Sequence, residues 1–232
     1  MARRTVYRVN NEAYNYVKKI EVDFEWSPGF SICQKQKSIK SLHENYAKNY
    51  KQDKILEISS KSLDELGISL SAFNLMISTK TNKKEFSVEC AFQSSKVFEY
   101  GGPYKDLLGK TSREAKKDER LKTSGELIGF EFFDRKWEIE PKTLFYDWLY
   151  INALYRNQDL AQRVLEYDAF TDIEFNPKKS INCQASSAAL FVSLSRMGLL
   201  ENAISSEEEY KKIIINRSNS EQSLSYEQGT FL

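Results

Sequence analysis

The segment Phe86-Ser87-Val88-Glu89-Cys90-Ala91-Phe92-Gln93-Ser94-Ser95-Lys96-Val97-Phe98 opens on a residue suited to cap a helix and then carries polar groups at helical spacing. Ser87 is a good N-cap, and the pattern predicts a helix running to about Phe98. At about 100° per residue, Gln93 lies about 40° and Lys96 about −20° from Glu89, so all three share one face. Ala91, Ser94 and Phe98 lie near the opposite face, where small residues permit close packing. Such a polar face is either an ordinary solvated surface with a weak charge pair or an acid, an amide and an amine gathered at a site.

Upstream of this helix, residues 5–9 and 17–25 read as strands rich in Val, Tyr, Ile and Phe, and Ser27-Pro28-Gly29 reads as a turn. Residues 34–50 form an amphipathic helix with Ile39, Leu42 and Tyr46 in a narrow apolar stripe. Residues 54–58 and 73–79 look like strands, with Thr81-Asn82-Lys83 as a hairpin tip. Downstream, Gly101-Gly102-Pro103 stops the helix, and Ser112 caps another over 113–121. Residues 127–133 read as a strand, and Pro141 fits the first turn of a long apolar helix to about Tyr155. Helices are expected at 159–167, 182–197 and 206–215, with a short strand at 171–175.

After Ile215 the composition turns to Ser, Asn, Glu and Gln, so residues 217–232 are expected to form a flexible polar tail on a domain of residues 1–216. The alternation of strands and helices is too uneven for a doubly wound parallel sheet. It predicts a single α+β domain, mostly helical with a small sheet.

Composition narrows the function classes. The 232 residues carry 34 Lys plus Arg against 33 Asp plus Glu, a net charge of +1, which excludes a globally basic nucleic-acid binder and an acidic disordered chain. Hydrophobic residues at 41% and aromatics at 13% suffice for a core. Cys33, Cys90 and Cys183 are too scattered for a disulfide framework, and with His43 as the one histidine no metal site is expected. Arg3-Arg4 is followed by no apolar region, and no apolar stretch approaches the ~18 residues of a membrane span. A cytoplasmic protein without membrane association is expected.

Cofactor and nucleophile motifs fail. Gly109-Lys110-Thr111 resembles the end of a phosphate-binding loop, but Tyr104 stands where its first glycine belongs. No GxGxxG or GxSxG occurs, and His43 lies in a polar helix without a nucleophile elbow nearby. No cofactor is expected.

The wider string, Leu70-Ser71-Ala72-Phe73-Asn74 followed by the 86–98 segment, resembles the NADAR (YbiA-like) superfamily. That family has a Ser-Asn-Phe segment, a short hairpin, and a helix of the pattern Thr/Ser-x-Glu-His-x-x-Gln-x-x-Lys-Phe. Arg113-Glu114-Ala115-Lys116-Lys117-Asp118-Glu119-Arg120 is similar to a family helix, and Trp137 stands where a family tryptophan precedes the long helix. Asp172 with Phe175 resembles the family's Asp-x-x-Trp, and Asn182 an Asn that opens its last helix. The resemblance covers about residues 30–197. Cys90 replaces the usual His, Ala72 the usual Asn and Phe175 the Trp, and no Gly follows Asn182. The insert Gln34-Lys35-Gln36-Lys37-Ser38 and the run Asn176-Pro177-Lys178-Lys179-Ser180 look most similar to NADAR antitoxins paired with DarT-type toxins.

That resemblance implies an ADP-ribosyl hydrolase, an N-glycosidase that removes ADP-ribose from guanine bases of DNA and reverses a DarT-type toxin. ADP-ribosylated DNA is then the implied partner, with the DarT-type toxin itself as a second candidate. Two other readings stand beside it: a non-catalytic reader of ADP-ribosylated nucleic acid or of the toxin, and an N-glycosidase on a small riboflavin-pathway intermediate. For the first, Glu89 and Asp172 supply acid–base carboxylates, and Lys96 either holds charge or attacks the sugar as an amine. Phe73, Trp137 and Phe175 offer flat faces to a base. Arg113, Lys116 and Arg120 suit a diphosphate, and Ser31, Gln93 and Asn182 complete the substrate-binding set. Lys35, Lys37 and Lys40, with Lys178 and Lys179, are the expected phosphate-tracking patch.

Overall fold

The parallel pairing of two short strands determines where the chain places its polar residues. The computed structural model describes residues 1–12, 15–79, 84–176 and 180–215. The expected hairpin tip at Thr81-Asn82-Lys83, the expected DNA contacts Lys178 and Lys179, and the expected tail at 217–232 lie outside the described residues.

β1 (Ala2–Glu12) and β2 (Asn15–Phe24) pair antiparallel from Ala2↔Phe24 to Val9↔Val17, with an irregularity between Val9 and Glu12. After α1 (Ile32–Ala47) come β3 (Ile55–Glu57), α2 (Glu65–Ser69), β4 (Met76–Ser78), β5 (Glu85–Ser87) and α3 (Val88–Ser94). β6 (Lys96–Phe98), a 3-10 turn at Lys105–Gly109, α4 (Ser112–Lys117) and α5 (Arg120–Thr123) follow. Next are β7 (Leu127–Phe132), β8 (Arg135–Trp137), α6 (Leu144–Arg156), α7 (Gln158–Val164), β9 (Ala169–Thr171), α8 (Gln184–Arg196) and α9 (Leu200–Ser205), and the chain is helical again over 207–215.

The main sheet has the order β2-β1-β9-β3, with β3 and β9 parallel. Strand alternation divides its faces. Val6 joins Ile39, Leu42 and Tyr46 of α1 on one side, while Tyr7 and Val9 join the larger core of α6 and α8 on the other. α8 is buried almost all round. Ala185, Ala188 and Ala189 let the sheet and α6 approach closely, and Phe191 and Leu194 fill the space between. A helix apolar on all sides belongs in the middle of a core. The result is the single α+β domain that the sequence predicts, with more helix than strand.

Several boundaries differ from the sequence reading. The helix capped by Ser87 ends at Ser94, and Lys96 lies on a strand. The Ser94 and Ser95 hydroxyls both turn back to the Ala91 carbonyl, and Glu131 N–H donates to Ser95 O, so β-pairing with β7 takes over. Asp118 breaks the expected 113–121 helix into α4 and α5. The expected strand at 127–133 ends in a tight turn at Phe133 and Asp134, both at positive φ, and returns as β8. Pro141 precedes α6 rather than opening it, because Thr143, at φ 73°, is the N-cap. The expected strand at 171–175 is β9, which stops at Thr171.

Phe191 is 1% exposed, and Phe191→Ala is expected to cost about 3–5 kcal/mol in urea unfolding. Phe30, 98% exposed, should change stability by less than about 0.5 kcal/mol on the same substitution.

Candidate active site

Because β3 and β9 run parallel, the segments that leave them emerge at the same end of the sheet. α8 begins there and α3 faces it, and between them lies a cleft of about 960 Å³. That volume suits a small-molecule ligand. Glu89, Gln93 and Lys96 line one wall, Ser71, Ala72 and Phe73 another, and Asp172, Phe175, Asn182 and Gln184 a third.

On the first wall, Ser87 Oγ accepts from Cys90 N at 3.1 Å and starts α3 as a capped helix. Every residue of α3 is buried, Glu89 and Gln93 included, so their polar face is no solvated surface. Gln93 Nε2 donates to Glu89 Oε1 at 2.9 Å, and Lys116 Nζ stands 3.7 Å from the same oxygen. Gln93 Oε1 and Ser71 Oγ are buried without a partner among the described residues, and such atoms in a cleft invite a ligand. Lys96 reaches the wall from β6, its Nζ 4.9 Å from the Phe92 ring centroid. Burial holds the Lys96 ammonium below the usual lysine range. The Glu89 charge opposes this and the Lys116 charge reinforces it. Lys116 in turn sits over the Phe73 ring at 5.1 Å.

On the opposite wall, Asp172 Oδ1 accepts from the amides of Glu174 at 3.0 Å and Phe175 at 3.1 Å. Burial, and next the neighbouring Glu57, push the Asp172 carboxyl up to about 8, against the pull of Gln184 and these two amides. Gln184, the first residue of α8, accepts from Ala72 N at 2.7 Å and donates to Ile58 O at 2.7 Å. One side chain thus ties three segments of the cleft together. Tyr146 lies buried in the lining, its hydroxyl held neutral above all by desolvation and next by the Glu89 charge.

The expected residues therefore divide. Glu89, Gln93, Lys96, Lys116, Phe73, Asp172, Phe175 and Asn182 meet at one cleft. Ser31, Arg113, Arg120 and Trp137 do not line it. Ser31 is exposed and caps α1 through Gln34 N. Trp137 is buried against Phe145 and Trp148 in the core. Arg120 is bonded to Asp118 and Asp106 and stacks over Tyr104. Arg113 is exposed on α4. Of the expected DNA contacts, Lys35 is bonded to Glu174 at 3.0 Å and sits over Trp26, Lys40 stands 3.9 Å from Glu44, and Lys37 is exposed. Glu174 lines the cleft, so the Lys35 bond places the start of α1 at its rim.

The sequence reading missed Glu57, Tyr146 and Gln184. Glu57 has a signal in retrospect, an acid inside the apolar run Ile55-Leu56-Glu57-Ile58. Among the described residues no group of His, Cys, Asp and Glu is placed to hold a metal ion, and no helix is long and apolar enough to cross a membrane.

A family model described as DarT1-associated NADAR antitoxin matches residues 2–224. The match spans nearly the whole chain, and the protein belongs to that family. The curated proteins compared with the chain contain no match.

Gln184→Ala leaves the Ala72 amide and the Ile58 carbonyl without their partner. With cleft water replacing part of what is lost, the expected cost in urea unfolding is about 1–3 kcal/mol.

Proposed function

We propose that this protein is a hydrolase that removes ADP-ribose from guanine bases of DNA, and that it serves as the antitoxin against a DarT-type toxin. Family membership supports the antitoxin role. The observation that carries the chemistry is the convergence of Glu89, Lys96 and Asp172 on one cleft, with the Asp172 carboxyl raised to about 8.

An ADP-ribosyl group on a base amine is an N,O-acetal. Its cleavage needs a proton for the departing nitrogen and a nucleophile at the anomeric carbon. Asp172 retains its proton at neutral pH and is the donor. Glu89, beside the two lysines, is the carboxylate that orients the attacking water and receives its proton. Two carboxyl groups in unlike surroundings thereby divide the acid and base roles. Phe73 and Phe175 offer ring faces to the bases, and Lys116 supplies positive charge for phosphate oxygens. Lys37 and Lys40, exposed on α1, and Lys178 and Lys179 are the proposed contacts to the DNA backbone, and the base must leave a duplex to enter the cleft. The action belongs in the cytoplasm, where toxin and DNA meet.

The lowered Lys96 favours a second, covalent route. A neutral Lys96 adds to the ring-opened C1, the base departs with the Asp172 proton, and water later releases the amine.

Release of ADP-ribose from ADP-ribosylated DNA tests the proposal. Binding without release would make the protein a reader, and release only from a small riboflavin-type glycoside would replace the substrate. Glu89→Gln is expected to keep the melting temperature and lower turnover by roughly 10²–10⁴-fold. A general acid works while protonated, so turnover should hold below pH 8 and fall as the pH rises through about 8, where Asp172 ionises. Borohydride added during turnover should trap an adduct on Lys96 if the covalent route operates. Parental activity in Lys96→Arg, with no adduct in the parent, would leave direct water attack.

A further inference from the structure

Glu57 ends β3 directly opposite Thr171 in the parallel register, is 2% exposed, and does not line the cleft. Its two oxygens grip the residues on either side of Asp172. Thr171 Oγ1 donates to Oε2 at 2.5 Å and the Ile173 amide donates to Oε1 at 2.8 Å. Ser59 adds a third hydrogen bond. Behind Thr171, His43 Nε2 lies 2.8 Å from the same hydroxyl oxygen. Thr171 has one proton and gives it to Glu57, so His43 donates through Nε2–H. Burial lowers His43 to about 4, which keeps the ring neutral in this role.

We propose that Glu57 is a positioning residue for the hydrolysis, acting through Asp172: anchored by the Thr171–His43 pair, it grips the Thr171 hydroxyl on one side of Asp172 and the Ile173 amide on the other, and so fixes the place and the surroundings of the cleft carboxyl. The proposal rests on the reading of Asp172 as the proton donor.

The surroundings leave Glu57 as the partner that matters. Around Asp172 the Tyr7, Tyr146 and Tyr150 hydroxyls and the Cys183 thiol are all raised by burial and stay neutral. Glu174 adds further negative charge to the Glu57 side, partly answered by its bond to Lys35. Burial raises the Glu57 carboxyl as well, and the hydrogen bonds from Thr171, Ile173 and Ser59 oppose that rise, so the two carboxyl groups titrate as a pair.

Glu57→Gln tests this without dismantling the site. A glutamine carbonyl still accepts from Ile173 N–H, its amide donates to Thr171 Oγ1, and the Thr171 hydroxyl turns to His43, whose other tautomer accepts it. In the full chain with carbon-13-labelled aspartate, the Asp172 carboxyl, assigned with Asp172→Asn, is titrated by NMR. The parental midpoint is expected at about 8, and in Glu57→Gln it should fall by about 1–3 pH units. The alkaline limb of kcat on ADP-ribosylated DNA should move down with it, with KM unchanged. An unmoved Asp172 midpoint in folded Glu57→Gln overturns the proposal. The titration needs no turnover, so an inactive parent would sink the hydrolase reading alone. If Glu57→Gln fails to fold, Thr171→Val and Thr171→Ser decide. Val removes the donor that favours the Glu57 anion, shifts the shared proton to Glu57, and should lower the Asp172 midpoint, while Ser keeps it. Equal midpoints in the two variants also overturn the proposal.

Discussion

Two carboxyl groups, Glu57 and Asp172, lie at neighbouring ends of parallel strands inside protein, where both cannot ionise cheaply. Much of the architecture around them supplies the hydrogen bonds that make the arrangement tolerable. Thr171 and Ile173 come from β9 and its exit, Ser59 from the exit of β3, Glu174 and Phe175 from the next turn, and Gln184 from the start of α8. Removing any one of these elements would leave a buried oxygen short of a donor. The parallel pairing of β3 with β9, only three residues long, is therefore the step that assembles this wall of the cleft.

The facing wall follows a different electrostatic rule. Glu89 is buried too, but it lies within reach of Lys116 and shares its surroundings with Lys96. Opposite charge favours a carboxylate, and burial beside a like charge favours a carboxyl group. One cleft thus sets two acids in unlike electrostatic surroundings, with Tyr146 close to both.

What the sequence made legible was local. Ser87 and the Glu89/Gln93 spacing announced the start of α3, and capping and i,i+4 contacts are decided within a few residues. The end of α3 was not legible, because Ser95 and Lys96 are drawn into pairing with β7, a strand some thirty residues on. Glu57 escaped notice because its partner Thr171 is 114 residues away and only the fold brings them together. Trp137 and Arg120 were read for their chemistry. Trp137 is instead consumed by the core, and Arg120 by Asp118, two residues before it. Fold class, set by the summed periodicity of many segments, was read correctly where single boundaries were not.

The Gln184 clamp restricts how this sequence can drift. Its carbonyl is taken by Ala72 N–H, and its amide hydrogens serve Ile58 O and Asp172, so the group has one orientation and no free amide hydrogen. A glutamate there would present an acceptor to the Ile58 carbonyl and bring a third acid beside Glu57 and Asp172. A shorter asparagine would lose reach to at least one side. The backbone amide of residue 72 and the carbonyl of residue 58 persist through any substitution at those positions, so the demand for a glutamine at 184 is written into the course of the main chain rather than into the side chains around it.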